Sequence, residues 1–277
     1  MRESWADALR SLIESGRSEL SRLAKKTKAA RSQVGPALRW AAEPLAVIAV
    51  TVASTTAFAQ PFYVPSGSME PTIAIGDALI ATKFPYGYSS YSIPFDQAPP
   101  AAERLFGRLP ARGDIVIFRL PRDPGVNYVK RVIGLPGDRV QMKDGRLWIN
   151  GAELPLRAAG QGDVEDGSGA IAAIPRYIES LPGGREHPIY KWRWSGELDN
   201  TQVFVVPKGD LFMMGDNRDD STDSRVAAAE GGVGFVPMGN LVGRAEFVIG
   251  SYDFLNATPI SGWISAVRLS RFFRGVN

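Results

Sequence analysis

Two serines, Ser66 and Ser68, flank a glycine in the stretch PSGSMEPT at residues 65–72. A serine hydroxyl is a weak nucleophile unless a neighbouring base takes its proton. The chain contains no cysteine and a single histidine, which excludes a thiol nucleophile, a disulfide framework and thiolate metal sites. The chemistry that this pattern permits is nucleophilic attack by a serine with a base other than histidine.

Lysine is the remaining base that can act near neutral pH, provided that burial lowers its pKa from about 10.4 to roughly 7 to 8. Lys130 lies in the strand-like run NYVKRVIGLPGD, beside an apolar stretch. Strand alternation places Tyr128, Lys130 and Val132 on one face and Arg131 on the other, so we expect one of the two cations to face water if the other is buried. Lys130 is the candidate base, and solvation of both cations is the alternative.

His187 is followed by a proline and preceded by two nearby glycines, which predicts a loop or surface position outside any catalytic triad. With one histidine and no cysteine, a zinc-type ligand cluster is not expected, whereas carboxylate sites for Mg²⁺ or Ca²⁺ stay open.

A third polar cluster, GDNRDDSTDSR at residues 215–225, follows the apolar run LFMM. This cluster either approaches the serines or forms a solvated loop. We predict neither a cofactor nor a metal.

The elements that must position these side chains begin with a basic segment. Residues 1–40 hold nine Lys or Arg against four Asp or Glu, and the remainder holds 23 against 25. This distribution argues against a nucleic-acid surface on the main body and for a basic tail beside a membrane.

Residues 44–64 carry no charge and are long enough as a helix to span a hydrocarbon core of about 30 Å. We predict one retained anchor with a cytoplasmic N-terminus; a cleavable signal ending at Ala57-Phe58-Ala59 is the alternative.

Beyond residue 70, short β-branched and aromatic runs alternate with glycine and proline, which is typical of an all-β domain. Two of these runs flank a Lys-Asp-Gly turn, a strong hairpin signal. Residues 152–200 are polar and Gly-rich and are predicted to form an excursion from the main sheet. The predicted strands are 115–118, 127–133, 138–142, 146–149, 201–206, 211–214 and 241–249.

Five stretches occur in an order and spacing that strongly resemble the bacterial type I signal peptidases (leader peptidases, the Ser-Lys endopeptidases of peptidase family S26). They are PSGSMEPT, GDALIATKFPYG, RGDIVIF, YVKRVIGLPGD and GDNRDDSTDSR, and the resemblance runs from about residue 44 to 250. It implies a mainly β fold: an N-terminal transmembrane helix, then a large antiparallel β catalytic domain with a smaller β insertion. Many relatives have two anchors, whereas this chain offers one.

The resemblance implies roles for three residues of PSGSMEPT and for Lys130. Ser68 corresponds to the nucleophile and Lys130 to the general base. The backbone N–H of Ser68 and the hydroxyl of Ser66 correspond to the oxyanion hole. Gly67 would let the backbone approach the substrate.

The stretch GDNRDDSTDSR, residues 215–225, supplies the supporting residues that the resemblance implies. Ser221 would hydrogen-bond the lysine and orient it. The sequence departs from the family at Asp220, where asparagine is usual, and no proposed catalytic position is affected. The remaining members form an implied ion-pair network: Asp216, Arg218, Asp223 and Arg225.

The implied function is removal of N-terminal signal peptides from exported preproteins, which would bind as extended strands with small side chains at the first and third positions before the cut. The implied setting is the bacterial inner membrane, crossed once, with a monomeric catalytic domain on the extracytoplasmic side. Preproteins and membrane lipid are the expected partners, without nucleic acid. The alternatives are a Ser-Lys peptidase of another specificity, such as an organelle-type processing peptidase or a self-cleaving repressor, and an inactive membrane-anchored binding module.

The predicted organisation has six parts. They are a basic cytoplasmic tail (1–43), the anchor (44–64), the first part of the catalytic domain (65–151), the insertion (152–200), the second part of the catalytic domain (201–255) and a C-terminal tail (256–277).

Overall fold

The computed structural model describes residues 36–92, 104–165, 171–252 and 266–276, together with Arg22, Lys25 and Lys26. The chain divides into two compact units, Met1–Ala53 and Ser54–Asn277. Helix α1 spans Pro36–Ala57, 22 residues. Proline is well tolerated at the start of a helix, and the many alanines that follow favour the helical conformation.

Helix α1 and the predicted anchor have different bounds. The helix begins ahead of residue 44 and ends at Ala57, and Ala59–Tyr63 form strand β1 instead of continuing it. Within the part of the chain that the structure describes, no helix combines the length and hydropathy needed to cross a membrane.

Strands dominate the second unit. The described residues contain, after β1 (Ala59–Tyr63), strands β2 (Asp77–Thr82), β3 (Ile115–Leu120), β4 (Asp123–Gly134), β5 (Arg139–Lys143), β6 (Arg146–Ile149), β7 (Ala152–Glu153), β8 (Leu156–Glu165), β9 (Ile171–Ser180), β10 (Glu186–Tyr190), β11 (Phe204–Val205), β12 (Asp210–Met214), β13 (Val236–Pro237) and β14 (Leu241–Ser251).

The main sheet has the order β1-β2-β14-β3-β4-β12-β13, and a four-stranded sheet has the order β11-β5-β6-β7. Strands β10-β9-β8 form a third sheet, within the range predicted to be an excursion. Neighbouring strands pair antiparallel in all three sheets. The predicted mainly antiparallel β class is therefore confirmed.

Strand β3 lies at the centre of the main sheet and is packed on both faces. Val116 and Phe118 belong to one apolar cluster, while Ile115 and Ile117 belong to two others. A strand that is buried on both faces needs a continuous apolar run rather than alternating apolar and polar residues. This explains the run Ile115-Val116-Ile117-Phe118. This packing fixes the position of β4, its neighbour.

The hairpin between β5 and β6 is confirmed. Asp144 and Gly145 have φ angles of 47° and 73°, which is the left-handed pair that a two-residue hairpin loop requires. The strand predicted over 201–206 is shorter, because only Phe204–Val205 pairs with β5.

Candidate active site

The serine motif forms a buried turn directly after β1. Gly67–Met69 make one turn of 3₁₀ helix, and Ser66 precedes it in an extended conformation with φ −134° and ψ 151°. Met69 is fully buried and packs in the cluster that contains Val64. The apolar methionine therefore anchors the turn, and Ser68 beside it is only 8% exposed.

The structure brings the predicted lysine to the predicted serine. Lys130, on β4, is hydrogen-bonded through Nζ to Ser68 Oγ at 2.6 Å. Ser66 Oγ lies 3.4 Å from the same oxygen. Residues that are 62 positions apart in sequence thus meet because β4 is held in the centre of the main sheet, next to β3.

The environment of Lys130 favours its neutral form. The side chain is 3% exposed, and burial lowers its pKa from the usual 10.5 to about 8, against the attraction of Asp223 and Asp216. The Tyr128 ring centroid lies 5.4 Å from Nζ. A substantial fraction of the amine is therefore unprotonated in mildly alkaline solution, and its lone pair can accept the Ser68 proton.

The loop of residues 215–225, GDNRDDSTDSR, holds the backbone of the serine turn. The N–H of Asn217 donates to the carbonyl oxygen of Ser68 at 3.1 Å, and Asn217 Nδ2 donates to that of Gly67 at 3.2 Å. Gly215 fits against the same turn, since a Cβ there would lie 2.4 Å from the Ser68 carbonyl oxygen. Asn217 and Gly215 were in the motif, but the sequence carried no signal that they hold Ser68 through its backbone.

Ser221 lies near the dyad but does not make the predicted hydrogen bond. Among the described residues its Oγ is buried without a hydrogen-bond partner, and Lys130 Nζ bonds to Ser68 instead. A Cβ on Gly215 would come within 2.2 Å of Ser221 Oγ and 2.4 Å of the Ser68 carbonyl oxygen. Ser221 lines the same cleft as Ser68 and Lys130, without the hydrogen bond to the lysine that was expected.

Asp223 and Arg225 form the buried ion pair that the motif predicted. Arg225 donates from Nε to Asp223 Oδ1 and from Nη2 to Oδ2, both at 2.8 Å. Burial would raise the pKa of Asp223, but the Arg225 guanidinium and the N–H of Gly215 hold it below its usual value. The same guanidinium donates to the carbonyl oxygen of Arg218 at 2.8 Å, so this pair supports the whole loop.

Asp216 and Arg218 take partners that the sequence analysis missed. Asp216 accepts two hydrogen bonds from Arg131, at 2.8 and 2.6 Å, and one from Thr72 at 2.5 Å. Arg218 forms a bidentate pair with Glu179 on β9, at 2.8 and 2.5 Å. The network therefore extends into the small sheet.

The expectation that only one of Lys130 and Arg131 would be buried is wrong. Arg131 is 2% exposed. It lies opposite Ile115 on one side and Met214 on the other, and the loop that follows Met214 covers its side chain with Asp216. Strand alternation correctly places Lys130 and Arg131 on opposite faces of the sheet. The face that carries Arg131 is nevertheless buried, because the loop after Met214 covers it.

The predicted surface position of His187 is also wrong. It lies on β10, is 3% exposed and pairs in register with Glu179. Nε2 lies 3.8 Å from Asp216 Oδ1, and burial, with the charge of Arg131, lowers the pKa of the imidazole to about 4. Within the described residues no hydrogen bond joins His187 to Ser68, so the histidine belongs to the ion-pair network as a neutral side chain.

A cleft of about 580 Å³ opens onto the serine turn. Its floor carries Ser66, Ser68 and Lys130, and its walls are mostly apolar and aromatic. In the described part of the chain, no group of three or more His, Asp or Glu side chains could hold a metal ion. The wall residues include Phe62, Tyr63, Val64, Leu79, Ile117, Val126, Tyr128, Val129 and Leu198.

Comparison with known proteins points to one family. The family model described as "Signal peptidase, peptidase S26" matches residues 37–250. The chain is 39% identical over 247 residues to Signal peptidase I of Rickettsia akari, covering 83% of this chain and 90% of the relative. It is 39% identical over 249 residues to that of Rickettsia conorii, with the same coverage. A crystal structure of a signal peptidase I from Enterococcus faecalis is 31% identical, covers 50% of this chain and 97% of its own, and has a TM-score of 0.30.

These matches show that the protein is a serine endopeptidase, one class of hydrolase. The chain belongs to the signal peptidase S26 family.

Gly215→Ala tests the contact of Gly215 with the serine turn. The new methyl group would overlap the Ser68 carbonyl oxygen and Ser221, so the turn must shift by part of an ångström. Displacements of about 1 Å lower turnover by roughly 10²-fold, and we expect a loss of kcat of about that size. Gly250→Ala is the control, since its methyl group would make only ordinary contacts. A Gly215→Ala enzyme with the turnover of the control would contradict the role of this contact.

Proposed function

We propose that this protein removes signal peptides from preproteins by a Ser-Lys mechanism, with Ser68 as nucleophile and Lys130 as general base. The observation that carries the proposal is the 2.6 Å hydrogen bond between Lys130 Nζ and Ser68 Oγ in a buried setting. Neutral Lys130 takes the proton of Ser68 as the hydroxyl oxygen attacks the scissile carbonyl carbon. The protonated lysine then gives that proton to the leaving amine, and an acyl-enzyme ester remains.

The second half of the reaction uses the same two residues. Lys130, neutral again, takes a proton from a water molecule that attacks the ester carbonyl carbon, and Ser68 leaves with the proton returned by the lysine. No other base is needed, because one side chain of suitable pKa serves in both directions.

The oxyanion of each tetrahedral intermediate needs preorganised donors. Ser68 lies in the first turn of the 3₁₀ helix, where an amide N–H has no partner inside the helix. Ser66 places a hydroxyl oxygen 3.4 Å from Ser68 Oγ, and its side chain lines the cleft. The N–H of Ser68 and the hydroxyl of Ser66 are our proposed oxyanion hole. Asp216, Arg218, Asp223 and Arg225 would support the loop that holds the serine turn, and Ser221, which lines the cleft, would lie beside the lysine.

The cleft supports an extended peptide as substrate. It runs beside residues 62–66, and β1 is the edge strand of the main sheet, a place where a peptide strand can add. The relatives are named Signal peptidase I, and on that basis the substrates proposed are exported preproteins cut after small residues at the first and third positions.

Location, membrane contact and oligomeric state stay predictions. We predict an anchor over residues 44–64 in the bacterial inner membrane, a cytoplasmic N-terminus and an extracytoplasmic catalytic domain. We also predict contact with lipid and a monomeric protein. The absence of any nucleic-acid partner stays a prediction too.

Ser68→Ala and Lys130→Ala test the dyad. Each should abolish cleavage of a preprotein and leave the circular dichroism spectrum unchanged, because one removes the attacking oxygen and the other the base. Lys143→Ala, at an exposed lysine of the β5–β6 hairpin, is the matched control and should cleave at the wild-type rate.

Two outcomes would contradict this assignment. One is near wild-type turnover by Lys130→Ala. The other is a folded but inactive His187→Gln enzyme, which would point to histidine as the general base. An inactive binding module, the alternative from another class, predicts that the wild-type protein binds preproteins and never cleaves them.

The pH dependence follows from the pKa of Lys130. The reactive form is the neutral amine, so kcat/KM should rise about tenfold per pH unit below a pKa near 8 and level off above it. Cleavage rates between pH 6 and 10 under subsaturating substrate measure this curve. A profile that is flat from pH 6 to 8 would exclude Lys130 as the base.

Ser66→Ala separates the two serines. If Ser66 only donates to the oxyanion, kcat should fall by about 10²- to 10³-fold with little change in substrate affinity. Ser66→Thr keeps the hydroxyl and should lose less. Single-turnover kinetics measure both variants; full kcat in Ser66→Ala would show that the oxyanion hole does not include this residue.

A further inference from the structure

Two adjacent carboxylates, Asp219 and Asp220, line the cleft beside the dyad. Asp219 is fully engaged: it accepts from Lys191 Nζ at 3.0 Å and from the N–H groups of Trp192 and Arg193, both at 2.7 Å. Asp220 is exposed, and within the described residues its carboxylate has neither a hydrogen bond nor an ion pair. The cleft thus presents one free negative charge to whatever enters it.

Among the residues that the structure describes, no cation forms an ion pair with Asp220, although the exposed Arg193 donates from Nη2 to the backbone carbonyl oxygen of Asp219 at 3.4 Å. Lys130 is buried against Ser68, and its pKa is lowered to about 8. Arg218 and Arg225, the cations on the same loop, are committed to the buried carboxylates of Glu179 and Asp223. The carboxylate of Asp220 is therefore open to solvent ions and to charged groups of the substrate.

Asp220 lies close to the reacting groups. Its charge acts on Lys130, and it also acts on the carboxyl of Glu70, just beyond the serine turn. The next residue, Ser221, lies within 2.2 Å of the position that a Cβ on Gly215 would take, next to the Ser68 carbonyl oxygen. Asp220 and Ser68 line the same cleft, so a peptide bonded to Ser68 has side chains in the neighbourhood of Asp220. Charges that lie within about one Debye length of each other still interact at ordinary salt.

We infer that Asp220 is a specificity-determining residue, which attracts a lysine or arginine side chain of the peptide near the scissile bond and repels an acidic one. This inference rests on the proposed peptidase function and adds to it a charge preference at one substrate position. Asp220 does not touch Ser68 or Lys130 through any hydrogen bond, so it is not a catalytic residue. It also holds no other part of the loop through its side chain, so a purely structural role does not explain its charge.

The experiment uses a set of peptides that share one cleavage site and carry a single Lys, Gln or Glu, moved one position at a time on both sides of the scissile bond. kcat/KM is measured with the full-length wild-type enzyme, Asp220→Asn and Asp144→Asn. Asp144→Asn removes the same charge from an exposed turn outside the cleft and is the matched control.

At one position, we expect the wild-type enzyme and Asp144→Asn to favour Lys over Gln by about two- to fivefold, and Gln over Glu by a similar factor, the range typical of exposed charge pairs. Asp220→Asn should treat the three peptides alike at that position. The preference should shrink when NaCl is raised from 0.05 to 1 M, because added salt screens exposed charges.

Equal use of Lys, Gln and Glu at every position by the wild-type enzyme would overturn the inference, as would a preference that survives in Asp220→Asn. Either result leaves the peptidase function intact, since cleavage itself has been observed. Failure of the proposed function looks different: the wild-type enzyme cleaves none of the peptides, or Ser68→Ala cleaves them at the wild-type rate.

Discussion

The hydrogen bond between Lys130 and Ser68 can serve proton transfer only because the lysine amine is almost completely buried. A lysine in bulk solvent is protonated at neutral pH and cannot accept a proton from a hydroxyl group. Burial in β4 removes the hydration of the ammonium ion and lowers the pKa of Lys130 to about 8. Much of the surrounding structure can be understood as holding this side chain in a dry place at a fixed distance from one serine.

The main sheet supplies the dry place. Strand β3 is buried on both faces and pairs with β4, so the backbone of Lys130 cannot move without disturbing three apolar clusters. The serine turn is attached to the same core through Met69 and Val64. Both members of the hydrogen bond are thus positioned by apolar packing, which is rigid and tolerates no water.

The charged network positions the loop that covers the site. Arg131–Asp216, Arg218–Glu179 and Asp223–Arg225 are all buried ion pairs, and each charge has its partner in hydrogen-bonding geometry. Pairs of this kind add little net stability, but removing one partner leaves an unpaired buried charge and is strongly destabilising, by about 3 to 5 kcal/mol. Because Glu179 lies on β9, the small sheet takes part in holding the loop, and Asn217 of that loop holds the backbone of Ser68.

The sequence alone determined the features that depend on local chemistry. Apolar and β-branched runs predicted most strands of the main sheet, and a Lys-Asp-Gly turn predicted the β5–β6 hairpin. The lack of cysteine with the single histidine directed attention to the serine pair and to Lys130 as base, and the resemblance to the signal peptidases singled out Ser68. Only the tertiary structure decided which polar side chains are buried. Arg131 and His187 were expected in water, yet the loop after β12 and the small sheet cover them, and Ser221 Oγ has no hydrogen-bond partner among the described residues where a bond to Lys130 was expected. The physical reason is that burial is decided by segments far away in the chain, whereas alternation and turn chemistry act between neighbours.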